Sequence, residues 1–335
     1  MLLDTLNEAA AAADPYTVSA PDLVSNAGAV ARPEERPDEG LFVLPGGYLD
    51  ERGELHREVR LAALTGHDEE SLAHAAPSAA AATAVTALLA RCVARVGSIE
   101  RVEEALIRDL LVCDRDYLVL RLRSLAFGPR IDAVLDCSNP ECGERMDVRF
   151  SLDELEFERR DVRSRFFTTQ LSSPITVERD GAREETRLVE FRLPTGADQE
   201  ELAEVFRADE ERALRLLLAR TVKRVGAFTD VDEALIAGLP SEACGEVARQ
   251  MRRLSPQVEI EIEGACPECG TLCSTRFDIA GFFVAEMRDN LHVLEREVHF
   301  LALHYHWSEH DILSLTRRKR WRYVELLREE FESFE

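Results

Sequence analysis

No stretch of 18 apolar residues without charge occurs in the 335-residue chain, so a transmembrane helix is excluded. The first residues, Met1 to Ala13, carry Asp4 and Glu8 and no lysine or arginine. A secretory leader needs a basic start followed by an apolar core, so none is expected and the chain should stay in the cytoplasm. Positive charge is scarce: 41 Lys and Arg stand against 64 Asp and Glu, a net charge of −23. Such a chain is repelled by nucleic-acid phosphates and anionic lipid, and membrane insertion is not expected. Arg317, Arg318, Lys319, Arg320 and Arg322 form the one local basic patch through which nucleic acid could be reached. Also missing are a glycine-rich phosphate loop, a Gly-x-Ser-x-Gly elbow, an HExxH pattern and a paired motif of histidine with a nucleophile. Without them no catalytic set emerges, and neither an enzyme nor a small-molecule substrate is expected. Acidic residues are spread over helix faces, the usual solvated pattern.

What is present is a globular composition, 45% hydrophobic and 31% charged, in a chain long enough for two cores. The chain repeats itself. Leu88-Leu-Ala-Arg-Cys-Val-Ala-Arg-Val-Gly97 recurs as Leu217-Leu-Ala-Arg-Thr-Val-Lys-Arg-Val-Gly226, an offset of 129. Val102-Glu-Glu-Ala-Leu-Ile107 meets Val231-Asp-Glu-Ala-Leu-Ile236, and Cys137 meets Cys266, at the same offset. Thr65-Gly66 and Asp68 meet Thr195-Gly196 and Asp198 at an offset of 130. Chance agreement of two alanine- and leucine-rich helices does not explain cysteines that stay collinear with the rest.

The pattern predicts an α+β fold of two pseudo-symmetric repeats, each a small hairpin, helices and a cysteine knuckle, followed by a helical C-terminal segment. The expected division is 1–40, a mobile tail with a short helix over Leu2 to Ala13; 41–160, repeat one; 161–281, repeat two; and 282–335, the helical segment. In each repeat strands flank a tight turn, at Asp50 to Gly53 and at Asp180-Gly181. A Thr-Gly-x-Asp element opens a short acidic helix. A long amphipathic helix follows, about Ala79 to Val96 and Glu211 to Val225, with Gly97 and Gly226 placed as left-handed C-caps. Two further helices come next, the second capped by Asp114 in one repeat and Ser241 in the other. Strands on either side of a knuckle close each repeat. In the C-terminal segment Leu291, Leu294, Val298, Leu301 and Leu303 form a stripe at helical spacing. Ser308 caps a helix with Asp311 in the capping-box position. Trp321, Val324, Leu327 and Phe331 form the apolar side of the last helix.

The knuckles carry the chemistry. Cys137-Ser-Asn-Pro-Glu-Cys142-Gly143 and Cys266-Pro-Glu-Cys269-Gly270 share Pro-Glu-Cys-Gly. Two thiolates on one tight turn converge on a cation but supply only half of a tetrahedral zinc site. If the repeats pack about a pseudo-two-fold axis, Cys137, Cys142, Cys266 and Cys269 make one closed, structural four-cysteine site, and the metal clamps the repeats. Thiolates alone favour zinc over other metals, and the alternative is two buried cysteine pairs without metal. Cys273 has no counterpart in repeat one and is left out. Cys92, Cys113 and Cys244 sit in helical stretches and are expected in the core.

Five of the eight histidines fall between His292 and His310, where they suit a helix junction better than a metal site. The segment Arg115 to Arg123 is specific to repeat one, and it is either a contact surface or a salt-bridged exposed helix face. Three segments then resemble the T4-type baseplate hub assembly chaperone family of contractile phage tails and phage-tail-like injection systems. They are Leu44-Pro-Gly-Gly47 with Thr65 to Glu70, Arg115 to Arg123 with the knuckle Cys137 to Gly143, and Glu297 to Leu315. The resemblance implies a role in building or forming a baseplate, with other baseplate or tail proteins as partners, and brings no catalytic residue. The rival expectation is a cytoplasmic zinc-ribbon-like adaptor that binds another protein or, through Arg317 to Arg322, nucleic acid.

Overall fold

A computed structural model describes residues 39–75, 80–155, 157–179, 181–258 and 260–332. The expected tail and its helix over Leu2 to Ala13 lie almost wholly outside the described residues, as does Asp180 of the second turn. Two runs of elements appear in the same order. The first is β1 (Glu39–Leu49), β2 (Leu55–Ala62), α1 (Gly66–Ala73), α2 (Ala80–Cys92), β3 (Val93–Val96), α3 (Glu104–Asp109), α4 (Val112–Phe127), β4 (Arg130–Asp136) and β5 (Arg145–Ser151). The second is β6 (Phe167–Arg179), β7 (Ala182–Phe191), α5 (Gly196–Ala208), α6 (Glu210–Thr221), β8 (Val222–Val225), α7 (Glu233–Ala237), α8 (Ser241–Leu254), β9 (Glu261–Ala265) and β10 (Leu272–Arg276). The C-terminal segment adds α9 (Ile279–Asp289), α10 (Leu291–Tyr305), α11 (Glu309–Leu313) and α12 (Arg317–Glu332). All strand pairs are antiparallel: sheets β1-β2-β3 and β6-β7-β8, and hairpins β4-β5 and β9-β10. The fold is α+β.

The repeated motifs bind one another. Asp68 and Asp198 sit at the third position of their helices, and each carboxylate accepts the N–H of its capping threonine, Thr65 at 3.0 Å and Thr195 at 2.9 Å. The arginine of each Leu-Leu-Ala-Arg motif donates to the same carboxylate: Arg91 Nε to Asp68 at 2.8 Å and Arg220 Nε to Asp198 at 2.9 Å. The two motifs recur together because they form one ion pair, with a buried carboxylate and a partly exposed arginine, that fixes the short helix against the long one.

Three expectations are corrected. The long helices stop at Cys92 and Thr221, and the valine-rich ends that follow leave as strands β3 and β8. β-Branched Val93, Val96, Val222 and Val225 pack well on a pleated surface, and sheet pairing to β2 and β7 claims them. Gly97 and Gly226 do hold left-handed φ of 56° and 57°, but they end those strands rather than the helices. Asp114 and Ser241 are not N-caps: Leu111 and Pro240 hold that position without a side-chain cap. Asp114 instead sits buried in the first turn of α4 and accepts the Gly46 and Gly47 amides at 2.8 and 3.0 Å, securing a bulge in β1. Burial pushes its carboxyl up to about 7 despite those two hydrogen bonds and the charge of Arg57. Finally, α4 is neither a contact surface nor an exposed salt-bridged face. Arg115 is 1% exposed, Tyr117 and Leu118 to Leu120 are buried, and Arg123 pairs with Glu286 at 2.6 Å.

One core joins the first repeat to Val258, Ile260, Ile262, Phe277 and Phe283 from beyond α8. A second core runs from Val162 to α8, a small third one joins α5 to α6, and a fourth holds Leu301, Ile312, Val324 and Leu327. Within the C-terminal stripe Leu294 and Leu301 are buried, whereas Leu303 is 58% exposed and Phe331 half exposed. Ser308 does cap α11, accepting the Asp311 N–H at 3.2 Å. Packing takes two members out of the basic run, while Arg318, Lys319 and Arg322 stay exposed. Arg320 is fully buried between Glu69 (2.7 Å) and Glu297 (2.9 Å), and Arg317 lies 4.4 Å from the Phe127 ring centroid.

Burial alone would raise the Asp198 carboxyl, but Arg192, the Thr195 amide and Arg220 hold it below its ordinary 3.8. The stability it contributes is therefore present above that pH and lost as pH falls through the folded value. Asp198→Asn should cost roughly 3 kcal/mol at pH 7, the cost of breaking a buried pair. In denaturant titrations that penalty should shrink as pH falls below about 4, where the unfolded chain's carboxyl protonates, and vanish once the native carboxyl protonates at still lower pH.

Candidate metal centre

Each knuckle sits at the tip of a two-stranded hairpin. Between β4 and β5 the Cys137 N–H donates to Glu144 O at 2.8 Å and the Cys142 N–H to Asn139 O at 3.0 Å. Between β9 and β10 the Cys266 N–H donates to Thr271 O and the Gly270 N–H to Cys266 O, both at 2.9 Å. Gly143 and Gly270 follow the second cysteines at φ of 65° and 71°. A Cβ at either glycine would meet no atom within 4 Å, so the left-handed backbone, not space, is what calls for glycine there.

The hairpins face one another through their apolar sides. Ile131, Ala133, Leu135 and Met146 share a core with Ile262, Cys273 and Phe277, and Phe150 meets Phe277 edge to face at 5.4 Å. That packing brings the tips together. Cys137 Sγ lies 3.5 Å from Cys269 Sγ, and Cys142 Sγ lies 3.7 Å from Cys266 Sγ. All four sulfurs lie within 4.8 Å of one another. A tetrahedron with metal–sulfur bonds of ~2.3 Å has sulfur–sulfur edges of roughly 3.8 Å, so the spacing suits a single tetrahedral ion. It is far longer than the ~2.05 Å of a disulfide.

The electrostatics divide the cluster. Cys269 is pushed down to about 6, chiefly by the Thr271 hydroxyl, whose oxygen lies 3.2 Å from the sulfur, and then by the Thr271 amide. At Cys137 the Asn139 amide, 3.4 Å from the sulfur, favours the thiolate, but burial and the neighbouring thiols win and push it up. Four thiols this close titrate as a group, because each ionisation opposes the next. A divalent cation removes that repulsion and lets all four ionise. A closed four-sulfur shell leaves no ligand position for water or substrate, so the arrangement can hold structure but offers no chemistry.

Cys273 stands beside the cluster rather than in it. Its sulfur accepts the Ser138 N–H at 3.3 Å, steadying the loop that carries Cys137. Nothing in its spacing announced that contact, since repeat one has no counterpart. Cys92, Cys113 and Cys244 are buried, and burial pushes Cys92 up to about 12. The C-terminal histidines form no metal-ligand group among the described residues. His304 packs between Phe300 and Phe331, and His310 lies 5.1 Å from His67. A second set of potential ligand atoms, on Asp50, Glu54 and His56, gathers within 4.8 Å at the first hairpin turn. Sequence reasoning missed it because the three residues read as an ordinary polar turn.

A family model described as T4 bacteriophage base plate protein matches residues 49–284, more than two-thirds of the chain. The match includes both knuckles and ends within α9. Neither a curated protein nor a solved structure matches.

Removing one ligand should disable the whole cluster. Cys142→Ser is expected to weaken metal binding by at least the ~100-fold seen at the upper end for lost supporting contacts. It should also lower the thermal midpoint, because metal binding counts toward folding. Cys273→Ser should keep the metal. Metal analysis after dialysis against a chelator, with calorimetry of each variant, checks both.

Proposed function

Because the chain belongs to the T4 bacteriophage base plate protein family, we propose that it is a non-enzymatic assembly or structural component of the baseplate of a contractile tail-like injection system. In this reading one zinc ion on Cys137, Cys142, Cys266 and Cys269 clamps the two repeats, and the partners are other baseplate or tail proteins. The family match over residues 49–284 carries the proposal. The division into a tail (1–40), two repeats (41–160 and 161–281) and a helical segment (282–335) belongs to the same proposal, as does synthesis and assembly in the cytoplasm.

Physical properties support it. A strongly acidic body resists nonspecific adhesion to nucleic acid. The rival adaptor reading needs Arg317 to Arg322 as an open patch, yet Arg320 is spent on buried Glu69 and half-buried Glu297. A closed thiolate cluster gives rigidity without reactivity, which suits a part that must hold shape under mechanical load. No helix among the described residues is long and apolar enough to cross a membrane.

Gradient sedimentation of lysate from the source cell, followed by detection of this chain in each fraction, tests the placement. The expected result is co-sedimentation with sheath and tube proteins. Confinement to the light fractions while complete particles form would leave a transient assembly chaperone instead of a built-in component.

A further inference from the structure

A short helix, a turn and a longer helix occur three times. Ile107-x-x-Leu110 leads into α4, Ile236-x-x-Leu239 into α8 and Ile312-x-x-Leu315 into α12, and all three isoleucines are buried. Two of these turns hold a helix start from elsewhere in the chain. At the first, Leu110 O accepts the Gly196 N–H at 3.0 Å, and the Val112 N–H donates to Pro194 O at 3.3 Å. Thr195 thereby forms an antiparallel bridge with Leu111. At the third, Leu315 O accepts the Gly66 N–H at 3.2 Å and Thr65 bridges Thr316. An arginine eight residues after the isoleucine seals each seat. A Cβ on Gly196 would come within 1.7 Å of Arg115 Nη1, and one on Gly66 within 3.0 Å of Arg320 Nη1. The glycine of Thr-Gly-x-Asp is therefore the residue that lets the helix start approach its seat.

Among the described residues no helix start occupies the middle turn. Among the described residues Leu239 O accepts no hydrogen bond and Ser241 N donates none, and Pro240 is exposed. We infer that the turn leading into α8 is a docking surface for a partner protein that presents a Thr- or Ser-Gly-x-Asp helix start. The partner's glycine N–H would meet Leu239 O, and the carbonyl preceding its threonine or serine would meet the Ser241 N–H. Pro240 removes nothing needed, because the filled seats use the groups on either side of Leu111 and not its own N–H. Both helix starts of this kind in the chain are already seated, so a second folded copy has none to offer. Cys244 stands where Arg115 and Arg320 stand. The arginines face Glu200 and Glu69, so a partner for the open seat needs no glutamate there.

The inference rests on the proposed role as an assembly component, and the two fail separately. The test replaces exposed Pro240 with the photoreactive p-benzoylphenylalanine in the full chain, expressed in the source cell together with its tail proteins. The expected adduct maps by peptide sequencing to a Thr- or Ser-Gly-x-Asp helix start in another protein. Ser241→Pro, which suits the first helical position and so should fold, deletes the N–H donor. It should reduce adduct yield roughly two- to tenfold, the worth of one hydrogen bond. No adduct, an adduct on any other kind of segment, or a yield indifferent to Ser241→Pro overturns the docking surface. If the adduct maps as expected but the chain is absent from particles, the docking surface stands and permanent residence in the baseplate falls.

Discussion

Four sulfurs within 4.8 Å of one another set the terms for the rest of the molecule. They come from two hairpins more than a hundred residues apart in sequence, and each hairpin alone offers half of a coordination shell. Bringing them together fixes the second knuckle, with the strands that carry it, on the core of the first repeat. Without a cation the approach is opposed, since ionised thiols repel and protonated thiols gain little from one another. With a cation the same geometry becomes an attraction shared by both halves. Folding of the two repeats and binding of the ion are then one equilibrium.

The remaining joints repeat one device at different places. A capping-box aspartate fixes a helix start, an arginine from the neighbouring helix neutralises it, and the threonine–glycine pair seats on a turn of another unit. Repeat two is seated on repeat one in this way, and repeat one on the C-terminal helices. The arrangement explains why Arg115 and Arg320 are buried although nothing catalytic surrounds them. Each lies against a seated glycine and near a glutamate of the seated helix. Losing Arg320 would leave buried Glu69 without its 2.7 Å partner, the costly half of a broken ion pair, whereas Glu200 would keep Arg108 at 2.9 Å.

Much of this was legible in the sequence, for definite reasons. The α+β class, the order of elements and the meeting of Cys137, Cys142, Cys266 and Cys269 followed from collinear repeats, because duplicated segments tend to pack alike. What stayed hidden depended on tertiary choices that local pattern cannot see. Val93 to Val96 read as the end of a helix because they continue its apolar period; only the waiting edge of β2 turns them into a strand. Asp114 read as a cap because of its type and place, yet two glycine amides 68 and 67 residues away claim its carboxylate. The basic run at Arg317 to Arg322 read as a surface patch, since nothing near it in sequence foretold Glu69. Leu303 matched a helical period yet lies on the outer face of α10.

The most direct test of the clamp is X-ray absorption at the zinc edge on purified full-length protein, together with metal stoichiometry. One zinc per chain in a shell of four sulfurs at about 2.3 Å is the predicted result. Two zincs per chain, a shell with nitrogen or oxygen replacing sulfur, or no zinc at all would contradict a single ion shared by the two repeats.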